Sequence, residues 1–327
     1  MIWSTKKLPT PTYVQDTYWK FAAERQEIFF NRINRITQLT ADPILLKHKF
    51  TNAYRAADRV SQYLIREIIY KGDQSPNELL FRILLFKLFN RIETWQLLQH
   101  ELGTVTWEAF SFELYSKVLD QAMQAGEPIY SGAYIMASGR SSFGYARKHQ
   151  NHLKLIEQMM HFQLAERIGE AKSLEAVYGL LLSFPTIGKF LAYQYAIDIN
   201  YSNLTDFTEM EFVMPGPGAK DGIRKCFSSL GDYNDADVIR YVTDRQEQEF
   251  ERLGLQFKTL WGRRLQLIDC QNLYCETDKY ARIAHPEVGG ISSRTRIKQL
   301  YSGGRQPINY FFPPKWGLND KLGSSKW

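Results

Sequence analysis

The sequence predicts a mainly α fold, and three observations carry that reading. Apolar and aromatic residues recur at helical spacing along most of the chain. Nothing alternates short apolar runs with helices as a parallel sheet would require, and no internal repeat is visible. A corner at Leu181-Leu182-Ser183-Phe184-Pro185-Thr186-Ile187-Gly188-Lys189-Phe190-Leu191-Ala192 ends one helix and starts the next at once.

Taken in order, residues 17–35 place Tyr18, Phe21, Ala22, Ile28, Phe29 and Ile33 on one helical face. The pattern continues over 50–70. In 77–98, Leu80, Leu84, Phe86, Leu88 and Phe89 leave little polar surface, as expected of a buried helix. Helices are expected at 107–125, 150–168 and 173–182. Residues 126–144 break the pattern with glycine, serine, Tyr130 and Tyr134, and suggest a loop with a short extended piece. Beyond the corner, helices are expected at 190–199, 220–230, 235–253 and 262–281. The expected organisation is a helical extension over 1–44, a helical domain over 45–287 with the hairpin near 181–199, and a basic tail over 288–327.

Composition narrows the function classes. The 327 residues are 44% hydrophobic and 23% charged, ordinary for a globular protein. No apolar run reaches the roughly 18 residues a membrane helix needs, and the start lacks the apolar core of a secretion signal. Three cysteines, Cys226, Cys270 and Cys275, lack zinc-finger spacing, and a reducing cytoplasm is the expected location. The six histidines show no metal-ligand spacing, so neither a metal nor a cofactor is expected. Seven of the 41 lysines and arginines but one of the 35 acids lie from Val288 onward. That tail, with Arg294, Arg296, Lys298, Arg305, Tyr310 and Trp316, suits phosphates; a solvated tail is the alternative.

The corner itself points to phosphate. Glycine lets backbone approach closely, free N–H groups at a helix start favour an anion, and Lys189 adds charge. Such contacts ignore base identity. The predicted backbone contacts are therefore Thr186, Gly188 and Lys189, with Gly216, Gly218 and Lys220 of a second glycine loop. An ordinary packed corner would have the same local sequence.

Polar residues inside apolar stretches are costly unless paired or used. Asn52, Arg55, Asp58 and Arg59 form one such set, Arg82, Lys87 and Asn90 another, and Tyr145 and Lys279 extend it. The functional reading is a pocket for a flipped base; the alternative is an internal ion-pair network. In 132–147, Gly139 and Gly144 have the four-residue gap of a P-loop. Tyr145-Ala146 stands where Lys-Ser/Thr is required, which argues against an intrinsic kinase. The segment could instead enter DNA, with Tyr134, Phe143 or Tyr145 wedged beside a displaced nucleotide; an ordinary surface loop is the alternative.

The corner and the acids after it resemble the helix-hairpin-helix DNA glycosylase superfamily, although Thr186 replaces the first hairpin glycine and Phe190 stands where a lyase lysine would be. A wider resemblance spans residues 45–285. It rests on Phe50 through Leu64, Phe81-Arg82 through Asn90, the Phe-Pro-x-Ile-Gly hairpin, Pro215-Gly216-Pro217-Gly218-Ala219, and Cys275-Glu276 with Lys279-Tyr280. These motifs resemble the α-glutamyl/putrescinyl thymine pyrophosphorylase-like proteins and the helical domain of 5-hydroxymethyluracil DNA kinases, a group extending to antiphage DNA glycosylases. The resemblance implies a glycosylase-like helical fold and, as partner, double-stranded DNA carrying modified bases.

From this the expected function is excision of a hypermodified, glucosylated hydroxymethyl pyrimidine from phage DNA, leaving an abasic site. Glu211 is the expected acid, with Asp198 and Asp269 as rivals. A second reading is transfer, in which an amine displaces pyrophosphate from an activated base and Arg55, Arg59, Lys87 and Lys220 surround the leaving group. A third is a non-catalytic reader of modified DNA.

Overall fold

Helix starts follow local capping chemistry. Thr12, Asp42, Ser111 and Ser173 each accept backbone N–H bonds in the first turn of the helix that follows. Asn234 and Asp237 form a reciprocal capping box. The computed structural model describes residues 6–132, 134, 136–303 and 308–322. Ala133, Ile135 and the tail cation Arg305 lie outside them. The fold is mainly α; among the described residues, one small antiparallel sheet pairs Thr10–Pro11 with Phe227–Ser229.

The described residues divide into two units. The first holds 6–58, 209–303, 308–310 and 317–322. Its centre is the contact between helices Pro217–Cys226 and Leu267–Ala284, with Tyr13–Ile33 against both. Tyr18, Trp19, Phe29 and Tyr274 fill the core. A buried ion pair, Lys225 Nζ to Asp278 Oδ1 at 3.1 Å, ties the first two helices together, and Arg282 reaches Asp278 Oδ2 at 2.5 Å.

The second unit holds 59–132, 134, 136–208 and 311–316. The Pro76–Phe89 helix is buried along nearly its whole length. Helices Lys148–His161, Leu164–Glu170 and Lys189–Asn200 pack on it. Leu174–Leu182 and Lys189–Asn200 form the helical hairpin expected from the corner.

Several expected helices are divided. The 50–70 stretch becomes a 3-10 turn (Arg55–Ala57), a short α-helix (Arg59–Tyr63) and a π-helical turn (Leu64–Ile69), because Asp58 is extended. Asn90 (φ 48°) and Gln163 (φ 52°) adopt left-handed backbone and end helices that the apolar spacing runs straight through. The described residues of 126–144 form a loop holding the short helix Arg140–Phe143, with no strand among them.

Two buried polar clusters as candidate functional sites

The hairpin unit gathers one set of expected residues. Lys87, near the end of Pro76–Phe89, reaches Asp198 on Lys189–Asn200 with Nζ 2.8 Å from Oδ2. Their side chains are 3% and 1% exposed, so this charge pair is removed from water. Lys87 Nζ also sits 3.9 Å from the ring centroid of Tyr134. That ring lies parallel to Phe190, with centroids 5.8 Å apart and planes 11° apart.

At the turn, Thr186 takes φ 68°, the left-handed conformation that glycine adopts freely and a β-branched residue adopts at a cost. This matches its replacement of a hairpin glycine. A side chain on Gly139 would come within 3.3 Å of Thr186 Cγ2 and 3.1 Å of Asn151 Cβ, so the 126–144 loop closes directly on the turn. Gly188 caps the second helix with no atom within 4 Å of its side-chain position, and Lys189 beside it is exposed.

His152 pins that loop. Its Nε2 donates to the Ala137 carbonyl (2.8 Å), which leaves Nδ1 to accept from the Tyr130 hydroxyl (2.9 Å). Burial pushes its pKa down to about 4. A depressed histidine contributes stability that is complete above its unfolded pKa near 6.5 and lost as pH falls towards 4. Urea midpoints are therefore expected to rise from pH 4 to 6.5, with His152 contributing on the order of 2–3 kcal/mol. His152→Gln should flatten that rise; an unchanged slope would exclude His152 as its source.

The other unit gathers a second set. Asn52 donates its backbone N–H to Asp58 Oδ1 (2.8 Å), and Arg25 Nη2 donates to Asn52 Oδ1 (3.2 Å). The Arg55 backbone N–H donates to Asp269 Oδ1 (2.8 Å), and the Gln266 N–H to Oδ2 (3.0 Å). Desolvation raises both carboxyls, Asp58 and Asp269, to about 7; the charge of Glu209 adds to the shift at Asp269. Glu209 is buried and paired with Arg263 (3.1 Å). Lys279 pairs with Glu276 (3.2 Å), donates to the Lys49 carbonyl, and lies 4.5 Å over the Phe50 ring.

The remaining expected residues lie elsewhere. Glu211 is exposed, and its carbonyl accepts from Arg240. Arg59 is exposed. Arg82 donates to the carbonyls of Ile68 (3.1 Å) and Asp73 (2.5 Å), holding the preceding turn. Asn90 caps its helix, and Tyr145 rests on Phe112 with its N–H donating to Asn151. Gly216 caps Pro217–Cys226, Gly218 faces Cys275 Sγ, and Lys220 is exposed. In the tail, Arg294 pairs with Asp221 (2.6 Å). Burial would raise Asp221, but its bonds to Ser292 and Arg294 prevail and hold it at about 2.

Arg25, Arg263 and the Phe190 ring escaped the sequence reading. Arg25 interrupts an apolar helical face just as Arg82 does, and the same criterion would have found it. Arg263 lies in irregular backbone, where spacing carries no signal.

The chain belongs to the family described as "5-hmdU DNA kinase, helical domain", which matches residues 12–290. A relative named "5-hmdU DNA kinase", from Bacillus phage SP10, is 29% identical over 286 residues, covering 81% of this chain and 44% of its own. The chain thus spans less than half the length of that relative. No solved structure gives a significant match.

These findings overturn the expected excision chemistry. The family and the relative are named for phosphoryl transfer to a modified nucleoside in DNA, not for an N-glycosylase, a hydrolase or an antiphage activity. The acid role expected of Glu211, Asp198 or Asp269 belonged to that excision reading. Group transfer is the part of the expectation that agrees. No helix among the described residues is long and apolar enough to cross a membrane.

Proposed function

We propose that this chain is the DNA-holding helical domain of a phosphotransferase acting on 5-hydroxymethyl pyrimidines in double-stranded DNA. The observation that carries this reading is family membership over residues 12–290, with a relative named as a kinase of 5-hydroxymethyldeoxyuridine in DNA. The hairpin supports it physically. Gly188 leaves the helix start open to a phosphate, and Lys189, Arg140 and Arg147 are exposed cations of the same unit. The Gly139–Gly144 stretch lacks Lys-Ser/Thr, and Arg140–Phe143 follows no strand, so this loop is not assigned to the phosphoryl donor. In the same unit, the buried Lys87–Asp198 pair offers a donor and an acceptor to a base with a polar substituent.

Fluorescence anisotropy with otherwise identical duplexes, one carrying 5-hydroxymethyluracil and one thymine, tests the reading. Wild-type protein is expected to prefer the hydroxymethylated duplex several-fold, and equal affinities would overturn it. Lys189→Ala is expected to weaken both duplexes by a similar factor and to reduce the salt dependence by about one phosphate contact. An unchanged salt slope would remove Lys189 from the backbone grip.

A further inference from the structure

Tyr134 sits in an arrangement that a side chain seldom adopts without compensation. Its φ of 56° is left-handed, and it lacks the short polar side chain that eases that conformation in Asn or Asp. The loop is fastened on either side of it, at Tyr130 and at Ala137, through the two nitrogens of His152. Between those anchors the Tyr134 ring lies flat on Phe190 and covers the Lys87–Asp198 pair. Phe190 and Asp198 project from one helix, so stacking surface and ion pair belong to one rigid element.

We propose that Tyr134 holds the place of a flipped 5-hydroxymethyl pyrimidine, which stacks on Phe190 when Tyr134 swings out and presents its hydroxyl to Lys87 and Asp198. This rests on the DNA-holding function proposed above. A tyrosine ring and a pyrimidine are both flat six-membered rings, and a parallel offset stack suits either. The ion pair supplies the selectivity. An ammonium only donates hydrogen bonds and a carboxylate only accepts them, while a hydroxyl does both. The hydroxymethyl oxygen accepts from Lys87 and its proton is donated to Asp198. The methyl of thymine can do neither, so it gains nothing from the pair that a hydroxymethyl group gains. A phosphorylated hydroxymethyl group would bring negative charge against Asp198, so the site suits the unmodified acceptor and disfavours the product.

The test compares affinities for duplexes with one 5-hydroxymethyluracil or one thymine at the same position. Tyr134→Ala removes the competitor and is expected to tighten the hydroxymethylated duplex about 10-fold while moving the thymine duplex by less than about 2-fold. Lys87→Met and Asp198→Asn are expected to bring the ratio of the two affinities close to one. That ratio is independent of the fraction of each preparation that is folded, so instability of these variants does not obscure it. If Tyr134→Ala weakens both duplexes equally, Tyr134 is an ordinary DNA contact and the proposal is wrong. If wild-type protein prefers the hydroxymethylated duplex and no variant alters the preference, the proposal fails while the DNA-holding function stands. If wild-type protein binds neither duplex, both fail.

Discussion

Lys87→Met is expected to destabilise the protein by about 3–5 kcal/mol, because it leaves the carboxylate of Asp198 buried without its cation. Both side chains are almost fully enclosed and separated by 2.8 Å. The low local dielectric strengthens their attraction, and it also makes either charge expensive once alone. Asp198→Leu is expected to cost a similar amount, for the mirrored reason. The double variant Lys87→Met/Asp198→Leu, which removes both charges and fills the volume, should recover most of the loss. Urea unfolding is the measurement, with the midpoint reporting stability and a constant slope reporting an intact transition. Strictly additive single and double variants would show that the two groups do not interact. A recovered double variant that no longer distinguishes hydroxymethyluracil from thymine would separate the pair's recognition role from its contribution to folding.

The same pair marks what the sequence could and could not convey. Lys87 was recognisable because a charge in the Leu80–Phe89 apolar run requires a partner or a use. Asp198 was recognisable as one of the acids beyond the hairpin. Their pairing was not legible, because it depends on how two distant helices cross. The helix interiors followed from apolar spacing, whereas the breaks at Asn90 and Gln163 did not: left-handed backbone there is a local choice that the surrounding packing decides. Thr186 stands where such hairpins usually carry glycine, and the structure adds that it takes the left-handed conformation glycine adopts freely. The reaction was the least legible element. Excision and phosphoryl transfer both need DNA held by its backbone and a modified base recognised by polar groups. The motifs encode that shared requirement, and the family match, not the spacing of acids, is what speaks against excision.

The second large effect is expected at Gly222, which no sequence motif singled out. Gly222 lies on Pro217–Cys226, where a Cβ would fall 2.1 Å from the Tyr274 carbonyl oxygen and 2.8 Å from its carbon. Both obstructing atoms are backbone in the middle of Leu267–Ala284, so no side-chain rotation relieves the overlap. Gly218, one turn earlier, faces the same helix less tightly, with Cys275 Sγ 3.1 Å from its side-chain position. The two helices therefore meet along a strip of missing side chains, and Gly222→Ala must push them apart. That displacement would strain the buried Lys225–Asp278 pair, which depends on the same close approach. Gly222→Ala is expected to cost at least about 3 kcal/mol, at the upper end for overpacking. Gly179→Ala provides the contrast. That glycine is exposed on the Leu174–Leu182 helix with nothing within 4 Å, and alanine there should stabilise by about 0.5–1 kcal/mol through its better helix propensity. Paired thermal and urea unfolding of the two variants measures the difference. Equal behaviour would mean that the helices are not held at the separation from which the clash follows.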